Sequence, residues 1–194
     1  MMDSGQNGRR SAAVTRASIL SCARNRFAAQ GYERTTIRAI AQDAAIDPSM
    51  VMRYFGSKEQ LFDAALAIDL RLPNLAAVPS ADLPNVLIRV FLERWEGDPS
   101  DDALLMLLRS AVTNERAAQR MREIFAGQVG PALAAAVGPE TAARAAGMVA
   151  AQLLGLALTR HLIRLPAVVA LTEDQVEATL APALRATLEQ AARP

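Results

Sequence analysis

Signals that start helices recur along this chain and constrain its fold more than any other feature. Asp47-Pro48, Asp98-Pro99 and Gly138-Pro139 each place a proline where the first turn of a helix accepts it. Ser57-x-x-Gln60 and Thr172-x-x-Gln175 are capping boxes. Because the intervening sequence is rich in Ala and Arg, which are strong helix formers, we predict an all-α protein with about nine helices and no strands.

Single cysteine and histidine residues limit the chemistry that the chain can perform. One cysteine (Cys22) and one histidine (His161) exclude a disulfide framework and a Cys/His zinc cluster, and a histidine-based triad would have to use His161. We therefore expect no metal and no cofactor. A helical enzyme or a ligand carrier remains the competing class, although no paired carboxylate cluster supports it.

The N-terminal sequence and the apolar segments indicate where the protein acts. The polar start of the chain is not a secretory signal, and residues 1–12 are expected to form a disordered tail. The longest apolar run, residues 145–158, is interrupted by Gln152 and is shorter than a bilayer requires, so it predicts a buried helix. We expect a cytoplasmic protein with no membrane partner.

The N-terminal part of the chain is basic and the rest is acidic. Residues 1–58 carry a formal charge of +5, whereas residues 59–194 carry −4. This asymmetry is typical of a chain whose N-terminal part binds a polyanion, although solvated faces of Arg-rich helices would give the same count.

The helix boundaries divide the chain after the tail into a head, residues 13–57, and a helical body, residues 58–194. In the head we expect helices over 13–30 (ended by Gly31), from Thr35 or Thr36 to about residue 44, and over 48–55. A further helix should run from Ser57 to about Leu70. The remaining helices are expected near 84–96, 99–112, 114–136 with a kink at Pro131, 139–164 and 172–191.

Two short helices joined by a turn at residues 45–47 describe a helix-turn-helix, which reads DNA with its second helix. That spacing alone is weak evidence, but residues 16–62 resemble the DNA-binding domain of the tetracycline-repressor (TetR) family in one ungapped register. The matching elements are Ile19-Leu20, Ala23, Phe27-Ala28, Gly31-Tyr32, Thr35-Thr36, Ile40-Ala41, Tyr54-Phe55, Ser57-Lys58-Glu59 and Leu61.

The resemblance implies a set of DNA-contacting positions, and the chemistry of their side chains fits that role. Lys58, at the first turn of the fourth helix, can bind a phosphate together with free backbone N–H groups. Hydroxyl groups suit phosphate contacts, Arg pairs with guanine or phosphate, and Ser49 and Met50 are the expected neighbours of base edges. The candidate DNA-binding residues are Thr36, Arg38, Pro48, Ser49, Met50, Met52, Arg53, Tyr54 and Lys58.

Two positions depart from the family pattern. Ala45 stands in the turn where the family usually has Gly, which costs roughly 1 kcal/mol if the backbone there is left-handed. Met52 stands where the family favours a Tyr that touches a phosphate. Met52 cannot donate a hydrogen bond, so we expect this contact to be lost or replaced by an apolar contact to thymine.

Small residues in the body suggest how two copies assemble. Gly147, Ala151 and Gly155 recur every four residues and let another helix approach closely, and the resemblance implies a dimer interface made by the last two helices. The final helix carries a stripe suited to the same pairing, namely Val176, Leu180, Leu184 and Leu188. Packing within one chain is the alternative interpretation.

In this family the helices of the body surround a small-molecule pocket. Apolar and aromatic residues at helical spacing are candidates for its lining, although such residues are more often core. Two arginines could hold a carboxylate, and Gln152 inside an apolar run needs a partner across the dimer or on a ligand. The candidate ligand-binding residues are Phe91, Arg94, Trp95, Met106, Arg109, Met121, Phe125 and Gln152.

The sequence thus predicts a homodimeric DNA-binding transcriptional regulator. By resemblance it is a repressor that a small apolar organic ligand releases from a pseudo-palindromic operator in double-stranded DNA. A regulator controlled by a protein partner, without a ligand, is the alternative.

Overall fold

The computed structural model describes residues 4–97 and 103–193, and within these ranges the chain is helical with no β-strand. This confirms the predicted all-α fold class. The helices are α1 (Ser4–Arg34), α2 (Ile37–Asp43), α3 (Pro48–Phe55), α4 (Lys58–Ala65), α5 (Leu83–Glu96), α6 (Ala103–Ala111), α7 (Glu115–Ile124), α8 (Gly130–Val137), α9 (Pro139–Ala157), α10 (Pro166–Val169) and α11 (Glu173–Ala192).

Four of the predicted helix starts are capped as the sequence indicated. The Thr36 side chain accepts from Ala39 N at 3.1 Å, Asp47 Oδ1 accepts from Ser49 N at 2.8 Å, and Ser57 Oγ accepts from Gln60 N at 3.1 Å. Thr172 and Gln175 form a complete capping box at α11. Each cap satisfies an N–H that a helix start leaves without a partner. The Asp98-Pro99 start lies outside the described residues.

The chain packs into two compact units. The first comprises Met1–Ile68 and Ser100–Arg120, and the second comprises Asp69–Pro99 and Met121–Pro194. This division by packing differs from the boundary expected after residue 57, because Leu61, Phe62 and Ala65 of α4 are completely buried in the first unit.

The core of the first unit holds the helix-turn-helix on α1. Ile19, Ala23 and Phe27 form the buried stripe of α1, which packs against α4 and α6. Ile40 and Ala41 of α2 are completely buried as well. Burying apolar side chains gives each short helix a stability that an isolated helix of seven or eight residues lacks.

The first helix begins earlier than expected and breaks where expected. Its backbone is helical from Ser4, whereas the sequence predicted a disordered tail over residues 1–12. Residues 1–3 lie outside the described part. Gly31 interrupts the helical geometry with a positive φ of 76°, a conformation that glycine adopts without steric cost.

The helix α4 ends at Ala65 rather than near Leu70. Asp69 Oδ1 accepts a hydrogen bond from Arg71 N at 2.9 Å, and Leu70 N donates to Gln128 Oε1 at 2.8 Å. These side chains take N–H groups that a continuing helix would have used. The segment to Leu83 is therefore largely irregular, with a 3₁₀ turn at Leu75–Ala77.

In the second unit, α11 packs against both α5 and α9, and α8 packs against α9. Val176 and Leu184 are completely or almost completely buried in this core, Leu188 is buried at its edge, and Leu180 packs against it. The large side chains of this stripe are therefore used within one protomer, where burial against α5 is available, as in the alternative interpretation, and a role of the stripe in a dimer stays a prediction.

Two π-helical turns interrupt the long helical stretches of the second unit. Phe125–Val129 lies just before Pro131, which has no N–H to continue a regular helix. Leu158–Leu162 follows α9 and leads to α10, a short helix that the sequence did not predict.

One helical stretch, Pro139–Leu162, is long and apolar enough to cross a membrane by length and composition alone, with a mean hydropathy of 1.4. A core helix of a soluble protein passes the same test, and Ala142, Ala145 and Val149 of this stretch belong to the core of the second unit.

The turn between α2 and α3 generates a stability prediction. Ala45 has a φ of 52°, a left-handed conformation that is costly for alanine, whereas Ala44 has a φ of −78°. Ala45→Gly should raise the free energy of unfolding by up to about 1 kcal/mol, because glycine carries no Cβ penalty there. The matched control Ala44→Gly should lower it by about 0.5–1 kcal/mol. Urea unfolding measures both, and an equal loss in the two variants would contradict the strained turn.

Candidate nucleic-acid interface

The third helix buries one face and leaves the other open. Val51 and Phe55 are buried against the first unit, while Ser49, Met52 and Arg53 are exposed. Asp47 and Pro48 fix where the helix begins, and Gly56, with a φ of 80°, ends it. This eight-residue helix is therefore anchored by its apolar side. Its other face, which carries both polar and apolar residues, is directed to solvent.

Most of the predicted DNA-binding residues are accessible around this helix. Thr36, Arg38, Ser49, Met52 and Arg53 are exposed. The remaining ones are partly exposed, namely Pro48, Met50, Tyr54 and Lys58. The Arg53 guanidinium lies 5.7 Å from the centroid of the Tyr54 ring, a cation–π contact that orients both side chains.

Hydrogen bonds at the helix starts leave donors available. The Thr36 side chain caps α2 as an acceptor, so its hydroxyl proton can still be donated to a phosphate. Hydrogen bonds from the Ser49 side chain and N–H hold the pKa of Asp47 below its ordinary value, so this carboxylate stays charged at neutral pH.

A second carboxylate in the basic head is paired. Arg26 of α1 and Asp43 of α2 form a two-pronged ion pair, with Nη2 to Oδ1 at 2.6 Å. Hydrogen bonding to Arg26 lowers the pKa of Asp43. The pair joins α2 to α1 and offsets an acidic charge that would otherwise repel a polyanion.

Lys58 lies at the first position of α4, beside the aromatic core of the first unit. Its Nζ is 4.2 Å from the centroid of the Tyr32 ring and donates to Glu33 O at 3.4 Å. The Tyr32 hydroxyl donates to Glu59 Oε1 at 2.8 Å. In the sequence, Tyr32 and Glu59 were only two of the residues that match the family, and the adjacency of Lys58 and Glu59 in the capping box was the one signal of this arrangement.

The candidate ligand-binding residues divide between the two units. Met106 is completely buried in the first unit, and the Arg109 guanidinium donates to the carbonyl of Ala28, so both have roles within that unit. The others belong to the second unit, and all are partly buried: Phe91, Arg94, Trp95, Met121, Phe125 and Gln152. The Gln152 side chain donates to Thr187 Oγ1 at 2.8 Å, within one protomer, while its Oε1 is buried without a partner.

The structure adds His161 to this aromatic group. Its ring stacks on Trp95, with centroids 5.0 Å apart and planes 15° apart, and Trp95 in turn lies 5.7 Å from Phe91. Glu96 Oε1 lies 3.7 Å from His161 Nε2 and 2.7 Å from Arg160 Nε. Nothing in the spacing of the sequence predicted this cluster, because the π turn at Leu158–Leu162 sets where His161 points.

The small-residue face of α9 is open in the single chain. Gly147, Ala151 and Gly155 are exposed, and a Cβ added at either glycine would meet nothing within 4 Å. Met148 beside them is 57% exposed. An open groove of about 550 Å³ continues this face between α9 and α11, lined by Arg144, Met148, Ala186, Thr187, Gln190 and Ala191.

Among the residues that the structure describes, no group of three or more His, Cys, Asp or Glu side chains is placed to hold a metal ion. The features that the structure presents are basic side chains and the exposed face of the short helix α3.

These features define a helix-turn-helix DNA-binding protein. Residues 19–65 match the family described as bacterial regulatory proteins, tetR family, and residues 81–188 match the tetracyclin repressor-like C-terminal domain. The chain therefore belongs to the TetR family of transcriptional regulators.

Individual relatives agree with this assignment. The chain is 31% identical to the HTH-type transcriptional regulator BetI of Rhizobium meliloti (strain 1021), over 86% of this chain and 90% of that protein. A TetR-family regulator from Streptomyces coelicolor A3 has 28% identity and a TM-score of 0.62, covering 90% of this chain and 94% of its own. Salmonella enterica GusR shares the fold, with 21% identity, a TM-score of 0.66 and coverage of 90% and 95%.

The stacked imidazole generates a pH prediction. Burial lowers the pKa of His161 more than Glu96 raises it, and Arg160 and Arg164 lower it further. The unfolded chain therefore binds this proton more readily than the folded protein, so the free energy of unfolding should fall as the pH decreases from about 7 to 5. His161→Gln should flatten that dependence. Urea unfolding followed by Trp95 fluorescence tests it, and identical slopes in both proteins would contradict it.

Proposed function

We propose that this regulator is a homodimeric repressor that binds a pseudo-palindromic operator in double-stranded DNA in the cytoplasm. The observation that carries the proposal is the geometry of α3, whose Val51 and Phe55 are buried while Ser49, Met52 and Arg53 face solvent. A helix held in this way can enter the major groove without losing its packing.

The proposed contacts follow from the chemistry of each side chain. Lys58 and Thr36 bind phosphates and fix the register, while Arg38 and Arg53 pair with guanine or with phosphate. Ser49 and Met50 lie at base edges. Met52, which is 43% exposed, contributes an apolar surface where a tyrosine would have donated to a phosphate.

Selection from random DNA duplexes tests the proposal. The recovered sites should be inverted repeats, because a two-fold symmetric dimer presents two copies of α3. Lys58→Ala should weaken binding to all duplexes about equally and reduce the salt slope by about 1. Arg38→Ala should cost about 1–3 kcal/mol on the selected site and relax its preference at one base pair. Recovery of no enriched sequence with the folded protein would contradict the proposal.

We propose that the two copies meet through the open face of α9 and the adjoining groove. Gly147, Ala151 and Gly155 have room for a second helix, and Ala186 and Thr187 extend the surface on α11. The Gln152 side chain borders this surface because its Nε2 donates to Thr187 Oγ1, while its Oε1 is buried without a partner in the single chain. An apolar and small-residue face of this kind suits close helix packing.

Gly155→Leu tests this interface. Because a Cβ at residue 155 meets nothing within the chain, the variant protomer should fold normally, yet its side chain should obstruct a partner helix and shift the protein to monomer at low concentration. Light scattering measures the change, and Ala135→Leu, at an exposed position of α8 outside the proposed interface, is the control. A variant as dimeric as the parent protein would place the interface elsewhere.

We further propose that a small, mostly apolar organic molecule controls DNA binding through the second unit. The partly buried Phe91 and Trp95 support this, and EbrR, described as a multidrug binding protein, was solved in complex with proflavin. That protein is 22% identical, with a TM-score of 0.54 and coverage of 91% of this chain and 99% of its own. A compound acting in this way changes Trp95 fluorescence and lowers operator affinity together, and operator DNA lowers its affinity by the same factor.

A further inference from the structure

Lys58, the single lysine of the sequence, is held by an aromatic ring and a backbone carbonyl of the same chain. Lys58 Nζ lies over the face of Tyr32, 4.2 Å from the ring centroid, and one of its three N–H groups donates to Glu33 O at 3.4 Å. An ammonium over the face of an aromatic ring is attracted by the ring's negative face. Two of its donors therefore remain for a ligand.

The supporting ring is itself fixed on both sides. Its face packs near Phe27 and Phe62, with centroids 6.0 Å and 4.8 Å away, and its hydroxyl donates to Glu59 Oε1 at 2.8 Å. Burial and the hydrogen bond to Glu59 raise the pKa of Tyr32 to about 12, so the hydroxyl keeps the proton that it donates. The same bond helps to lower the pKa of Glu59, after the contribution of its own backbone N–H.

We infer that Tyr32 is a positioning residue for Lys58, and that its ring holds the ammonium at the start of α4 before DNA arrives. This inference rests on the proposed phosphate contact of Lys58. A lysine side chain that is ordered in advance loses less conformational freedom on binding, so its phosphate contact is stronger than that of a freely rotating lysine. Tyr32 thus has two roles, in the core through one part of the ring and in recognition through another.

The charge pattern agrees with a positioning role. Glu59 is the neighbouring acidic side chain, and its Oε1 accepts the hydrogen bond from the Tyr32 hydroxyl. The groups that hold Lys58 are the Tyr32 ring and the Glu33 carbonyl, and neither carries a formal negative charge. These contacts therefore position the ammonium without an opposite charge that would compete with a phosphate.

The absence of any other lysine from the sequence gives a direct test that needs no DNA. Protein labelled with ¹³C and ¹⁵N only in lysine should show one ε-CH₂ resonance, shifted upfield by the ring current of Tyr32, with a nuclear Overhauser effect to the Tyr32 ring protons. Tyr32→Phe keeps the ring and should retain the shift. Tyr32→Leu removes the ring and should move the resonance to its position in the unfolded chain.

DNA binding provides the second arm. Tyr32→Leu should weaken operator binding by about two- to fivefold, which corresponds to a cation–π contact at an exposed site, whereas Tyr32→Phe should bind within twofold of the parent protein. In a Lys58→Met background the same Tyr32→Leu change should have no effect, since Tyr32 would have no ammonium to hold. Thermal unfolding of each variant monitors the loss of core packing.

The outcomes separate the two proposals. A Lys58 resonance at the unfolded-chain position in the parent protein overturns the positioning role even if Tyr32→Leu does not fold. If Tyr32→Leu costs as much DNA affinity in the Lys58→Met background as in the parent protein, the role is overturned too, because Tyr32 would then act through the core alone. Failure of the parent protein to bind any duplex would overturn the proposed function, while the shifted resonance would still establish that Tyr32 holds Lys58.

Discussion

The packing of three aromatic rings determines where the recognition elements lie. Phe27 of α1 meets the ring of Phe62 of α4 edge-on at 4.9 Å, and Tyr32 covers both from the segment after the Gly31 break. Because Phe27 and Phe62 are completely buried, this cluster fixes the start of α4 against α1. Since α3 packs against both α2 and α4, its exposed face depends on the same cluster for its direction.

The sequence predicted those parts of the fold that local chemistry decides. Thr36, Asp47, Ser57 and Thr172 begin their helices as expected, because a side-chain oxygen that satisfies a free N–H acts within two or three residues. The early end of α4 was not predictable in this way. It depends on Gln128, which is 58 residues further along and accepts from Leu70 N only after the second unit has folded.

The candidate sites show the same distinction between local and distant causes. Exposure of Arg38 and Arg53 followed from helical spacing, since Ile40 and Val51 mark the buried sides of α2 and α3. The support of Lys58 by Tyr32 joins residues 26 positions apart in the sequence, and the stack of His161 on Trp95 joins residues of α5 and a π turn. Such contacts depend on packing between elements, so periodicity within one helix carries no information about them.

The final helix illustrates how one amphipathic pattern can serve two surfaces. Leucine every four residues predicts a packed stripe, but the pattern does not specify whether the stripe packs within a protomer or between two. Leu184 and Val176 lie in the core of the second unit, and another face of α11 presents the exposed Ala186 and the half-buried Thr187 to the groove. Large side chains gain most from complete burial, and small ones allow backbones to approach. Folding of the protomer therefore uses the leucines, and the residues left exposed on the open faces of α9 and α11, where we propose that a second copy packs, are small and polar ones.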